Sequence, residues 1–141
     1  MDGAPLRTLG ATQLAPSTAR FRGFVSPDHG RADPTLDVER QRTVVPGGLE
    51  DELILNLWQA VPRTVAVRLE VDADFVDIFG IRGLTAPSDS PRSIPAAVSS
   101  DCLRFVDDET GLSTVVRLAP PPDSLDGRIA AWSPTLSRGA P

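Results

Sequence analysis

From Thr35 onward the hydrophobic and polar positions alternate. Leu36, Val38, Arg40, Arg42 and Val44 fall on one side of a two-residue period, and Thr35, Asp37, Glu39, Gln41 and Thr43 on the other. That period predicts a strand. Pro46-Gly47-Gly48 ends it, since proline lacks a donor and glycine accepts positive φ. In Leu49–Trp58 the residues Leu49, Asp51, Leu53, Leu55 and Leu57 share one face, while Glu50, Glu52, Ile54, Asn56 and Trp58 share the other. The acidic start suits a solvated strand end, and the apolar remainder predicts burial on both faces. After a reversal within 56–62, Val65, Val67, Leu69 and Val71 alternate with Thr64, Ala66, Arg68 and Glu70. A helix would turn about 200° for each such step of two and scatter those apolar residues, so this segment is also a strand.

Further along, Phe75, Phe79 and Ile81 are expected to face inward opposite Val76 and Ile78, so that the segment would plug a core. Short strands are predicted over Cys102–Val106, Ser113–Leu118 and Arg128–Trp132, with a hairpin turn from Asp107 to Gly111. Residues 84–100, rich in Ser and Pro, read as a loop, and Pro120-Pro121-Pro122 as a stiff connector. Residues 1–34 read as a loose or disordered lead-in holding at most one edge strand, Arg20–Val25, and a turn at 26–30. Residues 133–141 read as a disordered tail. Six or seven short strands without a helix predict an all-β fold, an antiparallel two-layer sandwich spanning residues 35–132.

Composition narrows the function classes. The chain has 141 residues, room for one small domain, and a net charge of −5 with its 14 basic residues all arginine. An acidic balance argues against nucleic acid or an anionic membrane as partner, and no apolar run is long enough to cross a bilayer. One cysteine, Cys102, forms no internal disulfide, and with the single His29 it makes a structural zinc site implausible. No metal or cofactor is expected. The first 27 residues lack the apolar core of a secretory signal, and Pro5, Gly10, Pro16 and Gly23 interrupt any amphipathic targeting helix. A cytoplasmic location is the expectation.

Candidate chemistry is sparse. Asp74 and Asp77, near Asp72, are paired carboxylates in an apolar setting, and a small independent glycosidase built on them is one reading. Residues three apart on a strand point to opposite faces, however, and Arg82 lies close enough to pair with either acid, so an ion-paired corner is the stronger reading. His29 sits in a Pro/Gly turn with no nucleophile at hand. Cys102 reads as a small core residue. Gly47-Gly48 is not followed by the Lys-Ser/Thr of a phosphate loop. Trp58 and Trp132 are possible sugar or domain-interface contacts, which leaves open a free-standing carbohydrate-binding module.

Three features taken together resemble the N-terminal β-sandwich domain of bacterial and archaeal glycogen debranching enzymes of the amylo-α-1,6-glucosidase type. The strand Val38-Glu39-Arg40-Gln41-Arg42 leads through a Gly-Gly turn to Leu53-Ile54-Leu55-Asn56. A Val-alternating strand then runs into Asp74-Phe75-Val76-Asp77-Ile78-Phe79-Gly80-Ile81-Arg82-Gly83. This last string is similar to the family's signature, in which Asp74, Phe75, Asp77, Phe79, Arg82 and Gly83 match and Gly80 stands where the family usually has Glu. Leu103-Arg104-Phe105 and Ala131-Trp132 fit more loosely. The resemblance extends over roughly residues 35–132 and implies an incomplete super-sandwich. It also implies a non-catalytic domain (a fragment or truncated gene product, inactive alone) that serves a separate (α/α)-toroid α-1,6-glucosidase in cis or in trans, in α-glucan metabolism. No catalytic residue carries over. Trp132 or Phe79 would then sit on the apolar face turned to the toroid.

Overall fold

The computed structural model describes residues 7–25, 35–75 and 93–139, with the backbone alone for 93–98. The chain is all-β and antiparallel, consistent with the expected sandwich, and no helix occurs among the described residues. It divides into two compact units, residues 1–64 with 135–141, and residues 65–134.

The first unit is built on one four-stranded sheet. Its strands are β1 (Arg7–Ala15), β2 (Thr18–Val25), β3 (Leu36–Val45) and β4 (Gly48–Leu57), paired in chain order. The β3–β4 hairpin closes with Val45 opposite Gly48, leaving Pro46 and Gly47 as the loop. Gly47 takes φ 80, the value a type II turn requires after a proline. Two short strands, β5 (Arg63–Thr64) and β12 (Thr135–Leu136), pair with each other, and the Thr64 and Thr135 hydroxyls lie 3.0 Å apart. β12 also lies against β4.

The second unit contains two three-stranded sheets. One has the order β10 (Ser124–Asp126), β11 (Ile129–Trp132), β6 (Val67–Glu70), and the other β7 (Ser93–Ser99), β8 (Cys102–Asp107), β9 (Ser113–Arg117). β8 is the central strand, and its alternation is sharp. Leu103 and Phe105 are fully buried and Asp107 nearly so, while Arg104 between them is exposed. Ala130 on β11 is also fully buried. The Asp107–Gly111 turn forms as expected. Asp107 N donates to Leu112 O at 2.9 Å, Gly111 N to Asp107 O at 2.8 Å, and the Thr110 hydroxyl to the Asp107 carboxylate. Gly111 supplies the left-handed φ of 70.

Several expectations need correction. Residues 7–25 of the expected loose lead-in form the β1–β2 hairpin, paired from Arg7–Phe24 to Ala15–Thr18. β1 is exposed along its whole length, so it carries no buried alternation to read. β7 lies inside the expected 84–100 loop. Its Pro95 pairs opposite Phe105 and is tolerated because β7 is an edge strand. β10 and β12 were not expected, and β12 falls in the expected tail. The strand over 64–71 is broken into β5 and β6. β4 is not buried on both faces. It is a sheet edge, with Leu49 and Leu53 about half exposed and Leu57 alone of its residues buried.

Because Phe105 is the largest fully buried side chain among the described residues, Phe105→Ala is expected to cost about 3 kcal/mol or more. Val115→Ala on neighbouring β9, half exposed, is expected to cost less than about 1 kcal/mol. Urea unfolding followed by circular dichroism measures both. Equal losses would show that β8 is not the core strand of its unit.

Candidate functional site

The four-stranded sheet has two unlike faces, set by the register counted back from the Pro46-Gly47 turn. Val38 lies opposite Leu55, Arg40 opposite Leu53, Arg42 opposite Asp51, and Val44 opposite Leu49. Directly opposed residues share a face, so these pairs build one side of the sheet. β2 adds Phe21 next to Arg40 on the same side. The side is apolar except at its centre, where Asp51 meets two arginines. Arg40 Nε donates to the two Asp51 oxygens at 2.8 and 2.9 Å, its Nη2 closes the second arm of a bidentate pair, and Arg42 Nε donates at 3.1 Å. Partial burial pushes the Asp51 carboxyl up, but the hydrogen bonds and charges of Arg40 and Arg42 outweigh it and hold the group below the usual aspartate range. The Asp51 hydrogen bond, opposed by partial burial, raises Arg40 in turn. Beside the β1–β2 turn on this side a shallow hollow of about 450 Å³ opens, where Arg42, Val44 and Leu49 meet Ala11, Gln13 and Ala19.

The other side is polar. Glu39 takes Arg20 at 2.9 Å and Arg22 at 3.6 Å. Asp37 lies opposite Asn56, with Phe24 of β2 on the other flank of Asp37. The ladder continues one step past β4, because Trp58 N donates to Thr35 O at 3.0 Å. Alternation therefore places the Trp58 side chain on the same side as Asn56, and it is 56% exposed.

The expected site residues fall in both units. Trp58 belongs to the first unit and Trp132 to the second. Trp132 is half-buried, and its indole N–H donates to Pro120 O at 3.0 Å, so its polar edge is already engaged. Asp74 is exposed, and Phe75 is half-buried at a left-handed φ of 50, uncommon for a residue with a side chain. Asp77, Phe79, Arg82, Gly83 and His29 lie outside the described residues. Asp72 pairs with Arg128 Nη1 at 2.6 Å, and the expected pairing of Arg82 with Asp74 or Asp77 lies outside the described residues. Cys102 is buried and free. No group of acids, His and Cys suited to a metal occurs among the described residues.

Over residues 1–141 the chain matches the sequence family described as the N-terminal domain of (some) glycogen debranching enzymes. The chain belongs to this family. Neither the curated proteins nor the solved structures hold a significant match to it. The debranching-enzyme domain thus takes in the β1–β2 hairpin, beyond the stretch over which its motifs are legible. The Arg40–Asp51–Arg42 cluster is a feature the motifs did not announce. The register did contain it, because two residues in the turn place Arg42 against Asp51.

The depressed Asp51 carboxyl has a pH consequence. Its ion pairs stabilise the fold above the unfolded-state value near 4 and are lost as pH falls through the lower folded value. The arginines are over a third exposed, so the contribution is held to about 0.5–1 kcal/mol. Asp51→Asn is expected to flatten the acid limb of the stability curve below about pH 4 and to leave its shape near neutrality unchanged. Denaturant midpoints at several pH values read this, and an acid limb as steep as that of the parent chain would remove Asp51 from the account.

Proposed function

We propose that this domain is a non-catalytic module of a debranching-type glycosidase, and that it supports an α-1,6-glucosidase toroid, in cis or in trans, in cytoplasmic α-glucan metabolism. The observation that carries the reading is the apolar side of the four-stranded sheet. Leu53 and Leu49 are 46% and 56% exposed there, and Phe21 and Val44 are open as well. Exposed apolar residues gathered on one face favour cover by another protein surface. Asp51 does not oppose such cover, because its charge is matched within the face by Arg40 and Arg42.

Asp51 and Glu39, the two acids paired within the sheet, do not form a hydrolytic pair. Hydrolysis of a glycosidic bond needs two carboxyl groups on one site, one of them with a raised pKa. Asp51 and Glu39 are each held by arginines, they lie on opposite sides of the sheet, and the Asp51 carboxyl is lowered rather than raised.

The purified chain is expected to release no glucose from glycogen limit dextrin. Mixed or co-expressed with a debranching-type catalytic domain, it is expected to co-elute with it on size exclusion. Leu53→Lys should weaken that association by about tenfold or more, since it adds a positive charge across from Arg40 where the one acid, Asp51, is already held by two arginines. Glucose release by the chain alone, or association unaffected by Leu53→Lys, would overturn the proposal.

A further inference from the structure

The polar side of the sheet carries a second site, independent of the apolar side. We propose that Trp58, Asn56 and Asp37 form a binding platform for an α-glucan chain. Trp58 is the one exposed ring among the described tryptophans, and alternation along β4 puts Asn56 on its side at about 6.6–6.8 Å, two strand steps away. Asp37 stands directly across from Asn56 on β3, within about 5.5 Å between β-carbons. Among the described residues no hydrogen bond or ion pair occupies the Asn56 amide or the Asp37 carboxylate.

Sugar chemistry fits this arrangement. A pyranose has an apolar face of C–H groups and a rim of hydroxyls. The flat indole takes the apolar face, and its own N–H adds a donor at the edge. The amide donates to and accepts from hydroxyls, and the half-buried Asp37 carboxylate accepts from them, so the rim finds both donors and acceptors. The backbone of Trp58 is held by its hydrogen bond to Thr35 O, which fixes where along the ladder the ring is carried. Phe24, next to Asp37 on β2, extends the apolar floor inward along the sheet. A ligand recognised by its charge would instead meet Asp37 and the ion-paired Glu39 and would need cationic groups, which a neutral polysaccharide does not require. The choice of an α-glucan over other glycans rests on membership of the debranching-enzyme family, not on the module's supporting role.

The test is affinity electrophoresis of the full chain in native gels containing glycogen, with maltoheptaose and a β-1,4-linked glucan oligosaccharide as soluble competitors. Thermal melts confirm that each variant is folded. The chain is expected to be retarded by glycogen and released by maltoheptaose but not by the β-linked competitor. Trp58→Ala should weaken binding about tenfold or more, Trp58→Phe less, and Asn56→Ala by a few fold. No retardation of the parent chain, release by both competitors alike, or full affinity in Trp58→Ala would each overturn the proposal. A Trp58→Ala chain that keeps its glycogen affinity in the gels but no longer co-elutes with the catalytic domain on size exclusion would mark Trp58 as a protein contact instead. The catalytic domain is absent from the gels, so failure here leaves the supporting role untouched.

Discussion

The register of the β3–β4 hairpin is the constraint on which the first unit depends. A two-residue loop at Pro46-Gly47 fixes every later pairing from Val45–Gly48 to Leu36–Leu57. Side chains alternate with a period of two, so a slip of one residue would exchange the two sides of the sheet. Asp51 would then leave Arg42, and the apolar row of leucines would face the side that now carries Asp37 and Asn56. The glycine at φ 80 therefore bears on which surface meets a partner and which stays in water.

The two sides of this sheet use charge differently. On the apolar side, Asp51 is held by Arg40 and Arg42, so the acid stands paired among Leu49, Leu53 and Val44 and the cluster keeps one positive charge in excess. On the polar side, Glu39 bridges Arg20 and Arg22 while Asp37 and Asn56 remain open beside Trp58. The two proposals therefore assign protein to one surface and saccharide to the other, both on a single layer of strands. The second unit is organised differently, around the buried stripe of Leu103, Phe105 and Asp107 on a central strand.

Part of this is legible in the chain. β3 is readable within a residue or two because apolar and polar positions change places along it, and β8, β9 and β11 because short runs of strand-forming residues lie between turn signals. β1 was missed because all nine of its residues are exposed and nothing selects an apolar stripe. β7 was missed because Pro91 and Pro95 read as loop punctuation, although an edge strand tolerates a residue without a donor. The mistaken expectation for β4 has a related cause. A run of leucines and isoleucine suggests burial on both faces, but at a sheet edge the same residues are left partly open. Trp58 was singled out from sequence and Asn56 was placed on its side. Asp37 joins them only through the cross-strand register, which a single strand's pattern does not contain. The family signature was legible through Asp74 and Phe75, and its later residues fall outside those described.

The hairpin register is measured most directly by nuclear Overhauser contacts between α-protons across β3 and β4 in the full chain. Cross-strand α-proton contacts are expected for Val38 with Leu55, Arg40 with Leu53 and Arg42 with Asp51, the pairs that do not exchange backbone hydrogen bonds. Contacts shifted by one residue, such as Arg42 with Glu50 or Glu52, would contradict the two-sided sheet and everything built on it.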